Sequence, residues 1–216
     1  MFWDIHTHIK RKNTAEACSI YNLNVPDHLC RCGLDLQNHF YSLGIHPWKI
    51  YPELLSEHLR FIEENIQYDA VKAVGECGLD KLCDTPRNLQ LKAFNGQVLL
   101  SEKYNKPLII HCVKAFDELL ALKKEIKPAQ PWIIHGFRGK PEQMRQLTDH
   151  GLFLSFGIHF NEETVKLISL SGFFLETDDA ETSIETIYEN IARCRGCSLS
   201  DLKIQIEKSV DFFKKS

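Results

Sequence analysis

The segment Phe2-Trp3-Asp4-Ile5-His6-Thr7-His8 decides the fold, because it reads as a short apolar strand that ends in two histidines two positions apart. Side chains at positions i and i+2 of a strand share one face. If this strand is buried among others, both imidazoles project together at its carboxyl end, at a spacing that suits one metal ion. Since a His-x-His pair often occurs by chance, later strand ends must supply further ligands for a metal site to form.

Seven further apolar runs follow, and segments with helical periodicity lie between most of them. The predicted strands are Phe2–Ile5, Cys18–Val25, Phe40–Ile45, Ala70–Gly75, Pro107–Ile110, Pro131–Ile134, Leu152–Phe156 and Phe173–Leu175. The predicted helices are Arg87–Tyr104, Phe116–Ile126, Pro141–Thr148, Glu162–Leu170, Ser183–Cys194 and Leu202–Phe213. Eight strands that alternate with helices predict an α/β fold of the TIM (β/α)8 barrel type.

The first repeat of this barrel is predicted to be degenerate. Lys10–Ala17 is too short for a full crossover helix, and Pro26–His39 is rich in loop residues. An open doubly wound sheet is the alternative, but the chain lacks the glycine-rich phosphate loop of that fold. No linker, charge block or composition shift interrupts the sequence, so we expect residues 1–216 to form one domain.

Composition limits the classes of function. A chain of 216 residues with 44% hydrophobic content can bury a full core. The formal net charge of −3 argues against a general nucleic-acid coat protein, yet it is compatible with a phosphate-containing substrate held by metal ions. The chain shows no secretory signal and no apolar run near the ~18 residues of a membrane span. We therefore expect a cytoplasmic protein without a membrane partner.

The eight cysteines are expected to be reduced thiols, because a chain of this size needs no disulfides and shows no secretory signal. The pair Cys194-x-x-Cys197 has the spacing of half a zinc site or of a redox pair. No second pair with this spacing completes a zinc site. We interpret the pair as two thiols at the end of a helix.

Side chains that can bind metal follow the apolar run at five predicted strand ends, where barrel enzymes place their chemistry. They are His6 and His8 after the first strand, Glu76 after the fourth, His111 after the fifth, His135 after the sixth and Asp178 after the eighth. Imidazoles and carboxylates together bind divalent ions, and a glutamate has two oxygens that can bridge a pair. Two ions about 3.5–4 Å apart activate water for attack on a phosphodiester.

Seven segments, in this order, resemble the TatD family of metal-dependent deoxyribonucleases, within the amidohydrolase-like TIM barrels. They are Asp4-Ile5-His6-Thr7-His8, Gly44-Ile45-His46-Pro47, Gly75-Glu76-Cys77-Gly78-Leu79-Asp80, Asn105-Lys106-Pro107-Leu108-Ile109-Ile110-His111, His135-Gly136-Phe137-Arg138-Gly139, Leu154-Ser155-Phe156-Gly157 and Leu175-Glu176-Thr177-Asp178. Their order and their placement at strand ends are more specific than any single segment.

The resemblance implies a site with two divalent ions, Zn, Mn or Mg. One ion would be held by His6, His8 and Asp178 and the other by His111 and His135, with Glu76 as the bridge. Asp178 would also take the proton from the attacking water, so that Asp178 and Glu76 are the expected catalytic residues. The expected contacts to substrate phosphates are His46, Arg138 and Lys10, the last as part of the run Lys10-Arg11-Lys12.

The chain departs from the family pattern at the predicted active-site rim. Val113 stands where the family often carries an arginine. After Asp178 the family usually has a proline-containing loop and a long insert, and this chain has only the short segment Asp179–Ser183 in their place. The chain is also shorter than typical members. Because such loops form the rim of a barrel, we expect metal chemistry to persist while substrate preference changes. Asp80 and Lys81 are interpreted as a candidate ion pair without a catalytic role.

Three classes of function are consistent with these residues. The first is a phosphodiesterase that acts on DNA ends, oligonucleotides or another phosphodiester substrate. The second is an amidase or esterase of the same superfamily, which is disfavoured because Glu76 stands where such enzymes carry a carboxylated lysine. The third is a non-catalytic scaffold, which is disfavoured because a scaffold has no need of six metal-capable side chains. The oligomeric state stays open.

Overall fold

The computed structural model describes residues 1–28 and 37–215, and eight parallel strands form its centre. The strands are β1 (Phe2–Thr7), β2 (Ala17–Asn24), β3 (Phe40–Gly44), β4 (Val71–Asp80), β5 (Leu108–Val113), β6 (Trp132–Ile134), β7 (Phe153–Phe156) and β8 (Phe173–Leu175). Each strand pairs in parallel with the next strand along the chain. The predicted TIM-type barrel is therefore confirmed, and all eight predicted strands are present.

The barrel is nearly closed by a short seam between its last and first strands. One parallel bridge joins Thr7 to Asp178. The His8 amide donates to the Asp178 carbonyl at 2.9 Å, and the Asp178 amide donates to the His6 carbonyl at 3.0 Å. The seam lies at the carboxyl ends of the strands, and therefore at the expected position of the metal site.

The helices surround the strands and largely follow their predicted bounds. They are α1 (Val25–His28), α2 (Leu55–Asn65), α3 (Arg87–Tyr104), α4 (Phe116–Ile126), α5 (Pro141–Asp149), α6 (Glu162–Leu167), α7 (Ile184–Arg195), α8 (Leu199–Ser209) and α9 (Asp211–Lys215). The helix α3 ends at Tyr104 and is capped by Asn105, which adopts the left-handed conformation (φ 55°) before Lys106-Pro107. Among the described helices, none is long and apolar enough to cross a membrane.

The predicted helix Leu202–Phe213 is wrong as one element, because α8 and α9 divide it. The first of the two helices closes at Val210, whose amide bonds to the Ile206 carbonyl, and Asp211 then begins the second helix. The break turns Phe212 and Phe213 towards Phe174 of β8, with ring centroids 5.5 and 5.9 Å away. The chain end thus packs on the barrel through aromatic contacts.

The degenerate first repeat is confirmed where the structure describes it. Residues 8–16 connect β1 to β2 without a helix, and α1 is a single turn. Most of the predicted loop Pro26–His39, with Cys30 and Cys32, lies outside the described residues. Cys77, Cys83, Cys112, Cys194 and Cys197 are free thiols, and the last two stand at the end of α7 as expected.

The strand β4 continues five residues beyond its predicted end at Gly75, and glycine makes this extension fit. A Cβ atom on Gly78 would lie 1.9 Å from the His111 carbonyl oxygen of β5, and φ at Gly78 is +148°. A Cβ atom on Gly44 of β3 would lie 2.4 Å from the Gly75 carbonyl carbon. The three strands therefore approach each other closely around Glu76, and β4 carries Asp80 to a position beside His111.

Candidate metal centre

The six predicted metal ligands meet at the carboxyl ends of the strands, with Glu76 at their centre. The Glu76 side chain is 4% exposed, and imidazole nitrogens face both of its oxygens. The oxygen Oε1 lies 2.6 Å from His135 Nε2 and 3.1 Å from His111 Nδ1. The oxygen Oε2 lies 3.5 Å from His6 Nε2 and 3.4 Å from His8 Nε2. One carboxylate thus faces ligands from three other strand ends.

Asp178 completes the group from the far side of the seam. Its Oδ1 lies 3.6 Å from His6 Nε2 and 3.5 Å from His8 Nε2. The backbone at Asp178 has φ of 54°, a conformation that side-chain-bearing residues seldom adopt, and the hydrogen bonds of the seam hold it. The seam therefore aims this carboxylate at the two histidines of β1.

The donor set fits divalent metal. His6 is fully buried, and neither of its ring nitrogens has a hydrogen-bond partner among the described residues. A buried polar atom without a partner is costly, and a metal ion would satisfy it. The ligand atoms form overlapping groups within 4.8 Å of one another, including His6–His8–Asp178, His6–Glu76–His135 and His46–Glu76–His111. Nitrogen and carboxylate donors in this ratio are typical of open zinc and manganese sites.

The histidines control the charge of the two acids. Burial raises the pKa of the Glu76 carboxyl, but the positive charge of His135 and hydrogen bonds from His111, His135 and His46 outweigh it and hold the pKa well below its ordinary value. Burial likewise raises the pKa of Asp178, but the adjacent His6 ring, 3.6 Å away, and the charge of His135 outweigh burial and lower the pKa to about 2. Both acids are ionised at neutral pH, which is the form that binds metal.

Asn22 of β2 holds the Glu76 backbone and side chain, and the sequence prediction missed it. The Glu76 amide donates to Asn22 Oδ1 at 2.7 Å, and Asn22 Nδ2 lies 3.5 Å from Glu76 Oε2. Ser42 of β3 also donates to Asn22 Oδ1. The available signal was a buried asparagine within an apolar strand, because a buried amide needs partners from neighbouring strands.

Asp80, at the end of β4, orients His111. Its Oδ2 accepts hydrogen bonds from His111 Nε2 at 3.1 Å and from Trp48 Nε1 at 2.6 Å, so His111 turns Nδ1 towards Glu76. The predicted pairing of Asp80 with Lys81 is wrong, since Lys81 lies 2.7 Å from Glu118. The two side chains diverge at the end of β4, since Asp80 faces His111 and Trp48 while Lys81, the next residue, reaches Glu118 on α4.

Glu176 supports His135 from below the site. Its side chain is fully buried, and its Oε1 lies 3.5 Å from His135 Nδ1 and accepts the Gly136 amide at 2.5 Å. This acid belongs to the segment Leu175–Asp178 that carries Asp178. Its place in that segment was the available signal, although only the fold shows which acid faces which histidine.

His46 faces the same carboxylate but differs from the other histidines. Its Nδ1 accepts the Trp48 amide at 3.1 Å, and its Nε2 lies 3.3 Å from Glu76 Oε1. In the neutral ring this hydrogen bond assigns the proton to Nε2, so the ring presents a donor to the site instead of a metal lone pair. Burial lowers the pKa of His46 despite the proximity of Glu76, which favours that neutral form.

The two basic residues predicted to contact substrate lie in different places. Arg138 is exposed and lines a groove of about 440 Å³ that also borders His111, His135 and Asp178. Lys10 is exposed as well, but its amino group lies 5.9 Å from the ring centroid of Tyr41, and Lys10 does not border the described pockets around the metal ligands. The structure thus brings Arg138 to the site, whereas Lys10 lies outside the described pockets.

Comparison with known proteins agrees with this geometry. The family described as "TatD related DNase" matches residues 3–210. The chain belongs to this family. A Bacillus subtilis relative named as an uncharacterized metal-dependent hydrolase is 33% identical over 146 residues, which cover 63% of this chain and 57% of that protein. The Escherichia coli 3'-5' ssDNA/RNA exonuclease TatD is 28% identical over 155 residues, which cover 63% of this chain and 56% of the exonuclease.

Other TatD relatives extend the comparison. A Schizosaccharomyces pombe protein named deoxyribonuclease Tat-D is 32% identical over 117 residues, which cover 50% of this chain and 38% of that protein. The chain thus matches roughly two fifths to three fifths of the length of these curated relatives. The solved TatD homologue YjjV of Escherichia coli superimposes on this chain with a TM-score of 0.79 at 18% identity. The superposition covers 100% of this chain and 98% of the YjjV chain, so the two share the fold.

Proposed function

We propose that this TatD-family protein is a divalent-metal-dependent phosphodiesterase that cleaves DNA ends or oligonucleotides. The observation that carries the proposal is the convergence of four ring nitrogens, from His6, His8, His111 and His135, on one buried carboxylate, Glu76. The relatives named as deoxyribonuclease and as ssDNA/RNA exonuclease support phosphodiester substrates. The charged, histidine-rich mouth is suited to a phosphate group and offers little to an apolar substrate.

Two ions, Zn, Mn or Mg, would share this donor set. His6, His8 and Asp178 would hold one ion and His111 and His135 the other, with Glu76 between them. Bound divalent ions supply Lewis acidity, which makes water acidic enough to attack at neutral pH and offsets charge on the phosphate. The partners Asn22, Asp80 and Glu176 fix the orientation of these ligands, as the second layer of metal sites generally does.

The protein's own groups then bind the substrate and move the proton. Both acids line the pocket, and Asp178 is the proposed proton acceptor because its side chain is 23% exposed, whereas the Glu76 side chain is only 4% exposed. The Nε2 hydrogen of His46 and the guanidinium of Arg138 are proposed to donate to phosphate oxygens. Lys10 is not part of the proposal, since its amino group lies against Tyr41.

The experiment measures cleavage of a 5'-labelled single-stranded oligonucleotide and of an activated phosphodiester by protein loaded with Mn²⁺ or Zn²⁺. We expect both His6→Ala and Asp178→Asn to lower the rate at least about 100-fold, the range for loss of a general acid or base. The matched controls are His150→Ala and Asp149→Asn, two exposed positions at the end of α5.

A parallel panel of amides and carboxylic esters separates phosphodiester cleavage from the other hydrolytic chemistry of this barrel type. Faster turnover of any panel member than of the phosphodiesters would overturn the proposal. Full nuclease activity in both site variants would also overturn it. Elemental analysis after loading tests the metal content, and clearly fewer than two ions per chain would contradict the dinuclear site.

A further inference from the structure

A second cavity adjoins the metal pocket, and Trp48 forms the wall between the two. This cavity has a volume of about 440 Å³, and its lining includes Trp48, Asp80, Leu82, Thr85 and Val113. Trp48 and Asp80 connect it to the metal centre, because Trp48 also borders the pocket above Glu76 and Asp80 holds His111. A ligand that reaches from the metal ligands into this cavity must therefore pass the Trp48 ring.

The indole of Trp48 is both fixed and open. Trp48 is 62% exposed, yet its Nε1 donates a hydrogen bond to Asp80 Oδ2 at 2.6 Å. The ring also meets His46 and His111 edge to face, with centroids 4.9 and 5.7 Å apart. Pro47 begins the 3-10 turn Pro47–Lys49 that carries the residue. A large aromatic surface held in one orientation loses little entropy when a flat ligand stacks on it.

Charge separates this cavity from the places that suit phosphate. Asp80 and Asp84 line it, and carboxylates repel phosphate oxygens. The cations Arg138 and Lys114 line the groove on the other side of His111 and His135. Leu82, 64% exposed, adds apolar surface near Trp48. The part of a nucleotide that fits beside Trp48 is consequently its uncharged aromatic base.

We propose that Trp48, flanked by Leu82, is the platform on which a nucleobase next to the scissile phosphate stacks. The proposal rests on the proposed nuclease function and adds a base-binding subsite to it. Stacking of a base on an aromatic side chain tolerates any sequence, because every base has a flat face. Removal of such a platform is expected to raise KM about 5- to 100-fold, with a smaller effect on kcat.

The test measures KM for the wild type, Trp48→Ala and Trp48→Phe. The substrates are an intact single-stranded oligonucleotide and a series in which each member lacks the base at one position. In the wild type, loss of the base at one position should raise KM as much as Trp48→Ala does. In Trp48→Ala that abasic position should have no further effect. Trp48→Phe keeps a flat ring but loses the bond to Asp80, so it should restore KM for the intact strand.

Three controls separate stacking from a structural role. Metal content is measured in each variant, because Asp80 bonds to both Trp48 and His111. Tyr51→Ala removes another exposed aromatic ring, one that borders neither described cavity, and should leave KM unchanged. Leu82→Ala should raise KM less than Trp48→Ala does.

A binding measurement tests the subsite independently of cleavage. Trp3 and Trp132 are buried, so quenching of tryptophan fluorescence by added ligand reports mainly on Trp48. Thymidine 5'-phosphate should quench it and 2-deoxyribose 5-phosphate should not, and Trp48→Phe should abolish the difference. Equal quenching by both ligands, or an abasic effect that persists in Trp48→Ala, would overturn the platform. If the wild type cleaves no phosphodiester, the proposed function fails while the quenching result still decides on the platform.

Discussion

The bond between Asp80 and His111 makes a quantitative prediction about metal affinity. Asp80 Oδ2 accepts from both His111 and Trp48, while Oδ1 accepts the Leu82 amide at 2.7 Å. An asparagine at this position has only one oxygen to offer to these two sides. The lower-energy orientation of the asparagine side chain keeps its oxygen towards the His111 and Trp48 rings and turns its amide nitrogen towards the Leu82 N–H. His111 then retains an acceptor but loses the negative charge of that acceptor.

We expect Asp80→Asn to weaken binding of the ion held by His111 about 10-fold and Asp80→Ala to weaken it about 100-fold. These factors span the usual effect of removing an outer partner of a metal-bound histidine, about 1.4 to 2.7 kcal/mol. The alanine variant lies at the upper end because it frees the His111 ring to turn Nδ1 away from Glu76.

The assay is competition between the metal-free protein and a coloured chelator for Zn²⁺, with two dissociation constants fitted. Asp84→Asn serves as the matched control, because Asp84 follows on the same loop and bonds to no predicted ligand in the described contacts. Thermal unfolding of the metal-free variants checks that each is folded. Wild-type affinity at both ions in Asp80→Ala would refute the role of Asp80 as the residue that orients His111.

Further predictions concern stability, measured as the free energy of unfolding. Gly78→Ala should cost more than about 3 kcal/mol, because its Cβ would overlap a carbonyl of β5, whereas Gly196→Ala, also at positive φ but with no atom within 4 Å, should cost only about 1 kcal/mol. Phe213→Ala should cost about 3–5 kcal/mol and the exposed Ile204→Ala less than about 0.5 kcal/mol, and equal costs would contradict the packing of α9. Burial lowers the pKa of Lys106 in the folded protein to about 8, below its ordinary value of 10.5. Between pH 8 and 10.5 the unfolded chain therefore binds one more proton than the folded protein, and the free energy of unfolding should rise with pH. After allowance for partial solvation, Lys106→Met should remove about 1–2 kcal/mol of this rise.

The barrel, and the convergence of six metal-capable side chains at one of its ends, could be predicted from the sequence for a physical reason. Strands buried on both faces read as short continuous apolar runs, and the carboxyl ends of parallel strands all reach the same edge of the sheet. A polar residue directly after such a run is therefore placed without knowledge of any loop. Four of the six predicted ligands follow their run directly, whereas His8 and Asp178 stand at the third position after theirs, and all six lie at one end of the barrel.

The supporting residues were harder to predict, because their roles depend on register and on contacts between distant segments. Asp80 meets His111 only because β4 passes its predicted end and pairs Gly78 with His111. Asn22 reaches Glu76 across 54 positions of sequence. The break between α8 and α9 likewise follows from aromatic packing on β8, which no local periodicity records.

The seam between β8 and β1 determines when the metal site can form during synthesis of the chain. Asp178 is made about 170 residues after His6 and His8, to which the seam joins it. A nascent chain on the ribosome can therefore carry the other five proposed ligands before Asp178 has been added. The proposed hydrolytic activity should therefore arise only after Asp178 has been synthesised, so translation products that stop before Asp178 are expected to lack it.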